Sequence, residues 1–510
     1  MEYELRNYQK RQVEFLRQNE NLVRGIQSPT GTGKSIMILN YIKEYMSRFK
    51  NHTVILTTGF NNLVFQMEED AKSMGINTQI LIGAAYLKPN CDFGEEKESF
   101  DYNKVNNSKC RNCPSIKYKK KDGKIVCDDL RPANCSRMMV AKYISSPKNG
   151  VLIITNHSYY LTMKDRISCN LLIVDEAHTF SDFYSGFRTY RLSKDIKMII
   201  DSYCKSVESP TSVAFKVVKN DRKIPSRIIS NAISEMVQNR IIDKDRADKY
   251  QNELINLYSE DESSFVETDA QSQETIKYDF YHSYDINCSN VILMSATLDD
   301  YTLRMFGLRN KNQIYVQKEP LDRYVGSIYS PIAEEYYDAF PRIVKYISKH
   351  CNSGLFLTTT IVNMEWTIEN FPKYNKDFKI FKDVEEYKKS KSEKRILVGS
   401  KKLFQGINVP DLDFVVLDKL PFATYDNKFK AYEFYLKKNT KCDPWLDYTM
   451  PLVKNSLLQA CGRLWRQNDY ENKIFDNGIF ILTDPRLEGK FSNLKNMIVK
   501  MKPGIKLIEI

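Results

Sequence analysis

The sequence predicts an α/β chain on two open parallel sheets, the first interrupted by a cysteine-bearing segment and a mostly helical stretch. Three observations carry that expectation. Ser28, Pro29, Thr30, Gly31, Thr32, Gly33, Lys34 and Ser35 form a glycine-rich turn between a short apolar lead-in at 21–26 and a helix-like run at 36–42. Four aliphatic residues, Leu171-Leu-Ile-Val174, end in Asp175 and Glu176, the pattern of a short strand buried on both faces. From about Leu308 onward, further apolar runs at 354–357, 395–398, 414–417 and 478–482 read as the strands of a second α/β region.

The glycine-rich turn points to a nucleoside triphosphate. Backbone N–H groups of such a turn converge on phosphate oxygens, Lys34 reaches the β- and γ-phosphates, and the Ser35 hydroxyl ligates Mg²⁺. The helix that follows directs its positive end at the anion. Ser28 stands where the usual pattern has glycine, and its small side chain still permits the turn.

The acidic pair comes next. At the C-terminal end of a parallel strand, where ligands bind in open α/β sheets, Asp175 suits the Mg²⁺ shell. Glu176 suits orienting and deprotonating the attacking water. An Asp-Glu pair after a strand is by itself more often a solvated turn, and the upstream phosphate turn decides for hydrolysis. His178, closing Asp175-Glu-Ala-His178, is placed to link the nucleotide site to a partner site.

At 510 residues the chain has room for three or four domains. Its 76 basic and 64 acidic residues leave +12, which suits a polyanionic partner without identifying one. No apolar run approaches the roughly 20 residues a membrane-spanning helix needs, and the first residues lack signal-peptide character. A cytosolic or nuclear compartment is expected, with no membrane partner.

Five of the eleven cysteines fall between 91 and 135: Cys91, Cys110, Cys113, Cys127 and Cys135. In a reducing compartment this clustering, with its C-x-x-C core, argues a metal rather than disulfides. The surrounding residues 83–148 are poor in aliphatics, so a bound metal would supply stability that a core cannot. Four thiolates fit either zinc or an iron–sulfur cluster, and spacing does not separate the two. The basic stretch at 117–124 fits a strand-guiding surface and a solvated hairpin tip equally well. Residues 181–290 show helical periodicity from Pro225 to about 258, after which Val291-Ile-Leu-Met294 resumes the first sheet.

In this order the motifs resemble those of the XPD/DinG family of superfamily-two helicases. Leu5-Arg-Asn-Tyr-Gln9 looks like the family's adenine-side entry, which implies Arg6 and Gln9 near the base. The run from Thr53 to Thr58, with Leu63 and Gln66, resembles its nucleic-acid-backbone motif, and Ile153-Ile-Thr-Asn-His-Ser158 its asparagine–histidine segment. Ser295, Ala296 and Thr297 look like the motif that couples hydrolysis to domain movement; Leu403-Phe-Gln-Gly406 to Pro410 and Lys419-Leu-Pro-Phe422 are similar to later landmarks. Gln459-Ala-Cys-Gly-Arg463-Leu-Trp-Arg466 matches Q-x-x-G-R-x-x-R, with both arginines expected on one helix face. Three positions depart from the family: Gln405 and Asn408 stand where acids are frequent, and Gln27 where glutamate is usual.

The resemblance implies two RecA-like motor domains: 1–82 with 149–180 and 291–307, and then 308–510. It implies a cluster domain at 83–148 and a short arch at 181–290. Cofactors would be ATP, Mg²⁺ and a [4Fe–4S] cluster on Cys91, Cys110, Cys113 and Cys135. Cys135 is preferred to Cys127 because it looks like the family's last cysteine opening a helix. ATP would touch the phosphate turn, Arg6, Gln9, Asp175, Gln459, Arg463 and Arg466, with His178, the 295–297 segment and Gly406 as coupling groups. The implied activity is 5′→3′ movement on single-stranded DNA by a monomer, unwinding tailed or forked duplexes. The same motifs would also serve an ATPase that remodels protein–DNA complexes, or an RNA helicase. Because the chain opens on the entry motif, a nuclease domain ahead of it is not expected.

Overall fold

The structure, a computed structural model, describes residues 4–29, 32–83, 116–121, 124–129, 150–192, 194–220, 224–243, 247, 250–255, 264–268, 275–279, 283–308, 310–317, 328–400, 403, 409, 412–422, 433, 436–437, 443–465, 478–489, 491–495, 498–499 and 505–510. Thr30, Gly31, Cys91, Cys110, Cys113, Cys135, Gln405, Gly406, Asn408 and Arg466 lie outside the described residues.

The first sheet draws on β1 (Val23–Gln27), β2 (Val54–Thr58) and β3 (Thr78–Leu81). A separate antiparallel hairpin, β4 (Ile116–Lys121) and β5 (Lys124–Asp129), follows, with Cys127 opposite Tyr118 on β5. Then come β6 (Leu152–Asn156) and β7 (Leu171–Asp175), a small sheet of β8 (Thr189–Leu192), β9 (Ser264–Thr268) and β10 (Thr275–Asp279), and finally β11 (Val291–Ser295) and β12 (Ile314–Val316). The first sheet has the order β12-β1-β11-β7-β2-β6-β3, and every pairing in it is parallel. Leu171, Leu172, Ile173 and Val174 of β7 have no exposed surface, as a strand covered on both faces requires.

Three helices pack on this sheet early in the chain: α1 (Asn7–Gln18), α2 (Lys34–Arg48) and α3 (Asn61–Ser73). Met37, Ile38, Tyr41, Ile42 and Tyr45 recur at helical spacing along α2 and are buried in the core with β1, β2 and β7.

The second sheet comprises β13 (Ile328–Ile332), β14 (Ser353–Leu357), β15 (Lys379–Phe381), β16 (Arg395–Gly399), β17 (Phe414–Leu417), β18 (Ile479–Thr483) and β19 (Lys506–Leu507). Its order is β15-β16-β14-β17-β18-β13-β19, again with every pairing parallel. These strands contain the apolar runs that sequence analysis picked out. The core here is strongly aromatic, with the pairs Phe340–Phe371, Phe356–Phe371 and Phe356–Phe414 in edge-on contact.

Both sheets belong to one compact unit, Met1–Phe180, Asp285–Ala423 and Thr449–Ile510. The second unit comprises Ser181–Tyr284 and Thr424–Tyr448, although the latter segment reads from the sequence as part of the second motor region. Three helices here, Lys194–Ser206, Pro210–Asn220 and Ser226–Gln238, pack through Ile200, Tyr203, Phe215, Ile229, Ile233 and Met236. The antiparallel sheet β8-β10-β9 was not anticipated. Its strands are four or five residues long and polar enough to lack an apolar run, so pattern alone does not mark them.

Candidate active site

The phosphate turn lies between the end of β1 and the first residue of α2, in a parallel sheet whose strand ends offer the ligand crevice. Gly33 caps α2 with φ +75°, in the left-handed region, and a Cβ there would come 2.7 Å from Gln9 Nε2. Glycine satisfies both demands at once. Ser28 N–H donates to Ser295 O at 3.0 Å, fastening the turn to β11. Lys34 Nζ donates to Ser28 O at 3.1 Å and Pro29 O at 3.4 Å, so its ammonium lies inside the turn. Ser35 is half-buried in the first turn of α2.

Gln9 meets the phosphate turn itself. Its Nε2 donates to Thr32 O (3.0 Å) and Gly33 O (3.1 Å), while Oε1 accepts from Arg6 N–H (2.9 Å). Tyr8 OH donates to Thr32 O at 3.0 Å and accepts from Arg6 Nη1 at 3.1 Å. Sequence analysis missed Tyr8; its place between Arg6 and Gln9 was the available signal.

Asp175 ends β7 beside Met294 of β11 and is buried. Its carboxyl is pushed up to about 7, chiefly by burial and then by Glu176, with Lys34 pulling the other way. A hydroxyl at Ser35 and a buried carboxyl at Asp175 fit a hard divalent cation, which takes oxygen ligands. Among the described residues, no three His, Cys, Asp or Glu side chains gather as a metal site. Glu176 adopts φ +49°, a left-handed conformation that costs a non-glycine residue energy and clusters at functional sites. Its Oε2 is buried without a hydrogen-bond partner among the described residues, 3.5 Å from His178 Nδ1.

His178 joins three motifs. Nδ1 is 2.7 Å from Ser295 Oγ, which also accepts from Thr297 N–H at 3.1 Å, so β11 and the acidic turn share one hydroxyl. On its other side, Nε2 lies 2.6 Å from Gln459 Nε2. Gln459 Oε1 is buried without a hydrogen-bond partner among the described residues. In the neutral Nδ1–H tautomer, which donates to Ser295 Oγ, His178 Nε2 accepts from the Gln459 amide. Asn455 Nδ2 adds a second bridge, donating to Asp299 Oδ2 at 3.2 Å.

Arg463 is 2% exposed. Its setting differs from the expected helix face. The α-helix Met450–Cys461 ends at Gly462, and Arg463 lies on the 3₁₀ turn Gly462–Trp465. Glycine's low helix propensity and its frequency at helix ends give the reason.

The His157 ring is 2.9 Å from Thr57 Oγ1 through Nδ1. Burial drives its pKa down to about 3, so the ring is a neutral tie between β2 and the helix that starts after β6. The turn after β2 repeats in the second lobe: Thr58 Oγ1 donates to Phe60 O, and Thr358 Oγ1 to Thr360 O, each at 3.1 Å. Asp418 braces the second turn by accepting from Thr359 N–H at 2.9 Å. Sequence analysis missed this repeat, whose signal is the triplet of threonines at 358–360.

Two RecA-like parallel-sheet domains, with a phosphate turn and acidic pair in one and a buried arginine turn in the other, resemble the architecture of XPD helicases. The profile described as a helicase C-terminal domain matches residues 343–503, and that of the type III restriction enzyme res subunit matches residues 2–205. The 3′-5′ exonuclease DinG of Staphylococcus epidermidis is 22% identical over 367 residues, covering 65% of this chain but 38% of that protein. A solved XPD helicase aligns over 100% of both chains at TM-score 0.58 and 15% identity. The S. tokodaii Xpd4 structure aligns over 99% of this chain and 100% of its own, at TM-score 0.55 and 13% identity. At these identities the structures speak for the fold alone. Profiles, relative, fold and motif order agree in their likeness to the XPD/DinG-type superfamily-two helicases.

Proposed function

We propose that this protein is an ATP-dependent DNA helicase that moves 5′→3′ along single-stranded DNA and separates tailed or forked duplexes. The observation that carries the reading is the buried His178–Gln459 contact, which ties the acidic motif of one lobe to the helix that leads into the arginine turn of the other. Lys34 would exchange its turn carbonyls for phosphate oxygens. Ser35 and Asp175 would hold Mg²⁺, which when bound neutralises charge on the β- and γ-phosphates. Glu176 would orient and deprotonate the attacking water, and Arg463 with Arg466 would stabilise charge on the transferring group. Because the catalytic set draws on both lobes, His178, Ser295, Thr297 and Gln459 are placed to link hydrolysis to lobe movement. The threonine turns after β2 and β14 would hold the strand by its phosphates, with little sequence preference. The exonuclease in the name of the Staphylococcus relative belongs to that protein, and no nuclease activity is proposed here.

Strand displacement on matched duplexes with a 5′ or a 3′ tail tests this reading. ATP- and Mg²⁺-dependent unwinding from the 5′ tail alone is expected. Unwinding from the 3′ tail alone would leave the ATPase standing and reverse the polarity.

The proposed [4Fe–4S] ligands are Cys91, Cys110, Cys113 and Cys135, with thiolate chemistry suited to such a cluster. Anaerobically purified Cys113→Ser protein should lose iron and strand displacement while still binding ATP, since the cysteines lie in a separate stretch of sequence from the nucleotide motifs. Full iron content and normal unwinding in that variant would remove Cys113 from the ligand set.

A further inference from the structure

Gln317 is a glutamine with no part in the motifs above, yet its side chain ends inside the phosphate turn. It follows β12, the edge strand paired with β1, and its N–H donates to Gln27 O at 2.9 Å. Its Oε1 accepts from Gln12 Nε2 at 3.2 Å and from the Ser28 hydroxyl. Ser28 Oγ is in turn 2.8 Å from Thr32 Oγ1, which donates to Pro29 O at 2.8 Å. Gln12, Ser28, Thr32 and Gln317 are all buried.

The proton count sets the direction of this chain. Gln317 Oε1 can only accept, so the single Ser28 hydroxyl proton goes to it, and the Thr32 hydroxyl is left as the donor shared between Ser28 Oγ and Pro29 O. Ser28 also supplies the carbonyl that Lys34 Nζ contacts at 3.1 Å. Moving Gln317 therefore moves the residue that holds the lysine. Gln317 directly follows β12 of the first sheet, and the next strand, β13, belongs to the second, so it lies on the stretch of chain between the two sheets.

We propose that Gln317 is a positioning residue for the nucleotide, setting the phosphate turn through Ser28 from the segment that joins the two lobes. The inference rests on the ATP reading above. Gln317 touches no substrate itself; it acts through the Ser28 hydroxyl, the side chain that this turn carries in place of glycine.

The test is a double-mutant cycle on the full chain, reading equilibrium binding of a fluorescent ATP analogue and steady-state hydrolysis. Losing one buried neutral hydrogen bond should weaken nucleotide binding about fivefold in Gln317→Ala and in Ser28→Ala. The Gln317→Ala effect should fall on KM for ATP rather than on kcat. The double variant should be no weaker than either single one, because both remove the same bond. Additive losses, or wild-type affinity in both single variants, would overturn the proposal. Should Gln317→Ala fail to fold by circular dichroism, Ser28→Ala decides alone, with unchanged affinity overturning it. A wild-type chain that bound the analogue no better than Lys34→Ala would instead overturn the ATP reading, and this inference with it.

Discussion

Arg463→Ala is expected to lower DNA-stimulated ATP turnover by about 10³–10⁵-fold, the range an arginine finger contributes to phosphoryl transfer. Charge develops on the transferring group only in the transition state, so ATP binding should change far less than turnover. Arg463 is 2% exposed, so its truncation also empties buried volume. Arg463→Lys separates these effects. It keeps a buried cation but loses the planar fork of donors, and should fold while remaining strongly impaired. Single-turnover hydrolysis beside a melting curve is the measurement. A folded Arg463→Lys protein with wild-type turnover would remove Arg463 from the catalytic set.

Glu176→Gln is expected to bind ATP and single-stranded DNA and to turn over about 10²–10⁴-fold more slowly, the contribution of a positioned general base. Glutamine preserves the side-chain shape at a residue held at φ +49°, so the loss is chemical rather than structural. The substitution also removes a neighbouring negative charge. Burial raises the Asp175 pKa most, and Glu176 raises it further. Asp175 should therefore ionise more readily in this variant, favouring the Mg²⁺–nucleotide state even as hydrolysis stalls. Quench-flow hydrolysis beside equilibrium ATP binding checks both halves. Normal turnover would exclude Glu176 as the base.

Much of the site was legible because its signals are local. Lys34 and Ser35 follow a glycine-rich turn, and Asp175 and Glu176 end an aliphatic strand; each is a few residues of pattern with one physical meaning. The same holds for the strands of both sheets, buried on two faces and so written as apolar runs. The arginine motif was legible in identity but not in conformation, since Gly462 ends the helix one residue before Arg463. The sheet β8-β10-β9 was hidden for the opposite reason: short polar strands carry no run, and β8 meets β10 only across the intervening helices, with Leu192 opposite Thr275.

By itself, then, the sequence determined the chemistry on offer: a phosphate turn, an acidic pair, a second α/β lobe with arginines, and a clustered set of thiols. Only the tertiary structure decided which of those groups meet. Gln459 reaches His178 across 281 residues of sequence, and Gln317 reaches Ser28 across 289. A parallel sheet places strand ends side by side regardless of their order in the chain. Contacts made there follow from strand order and register, which no short stretch of residues encodes.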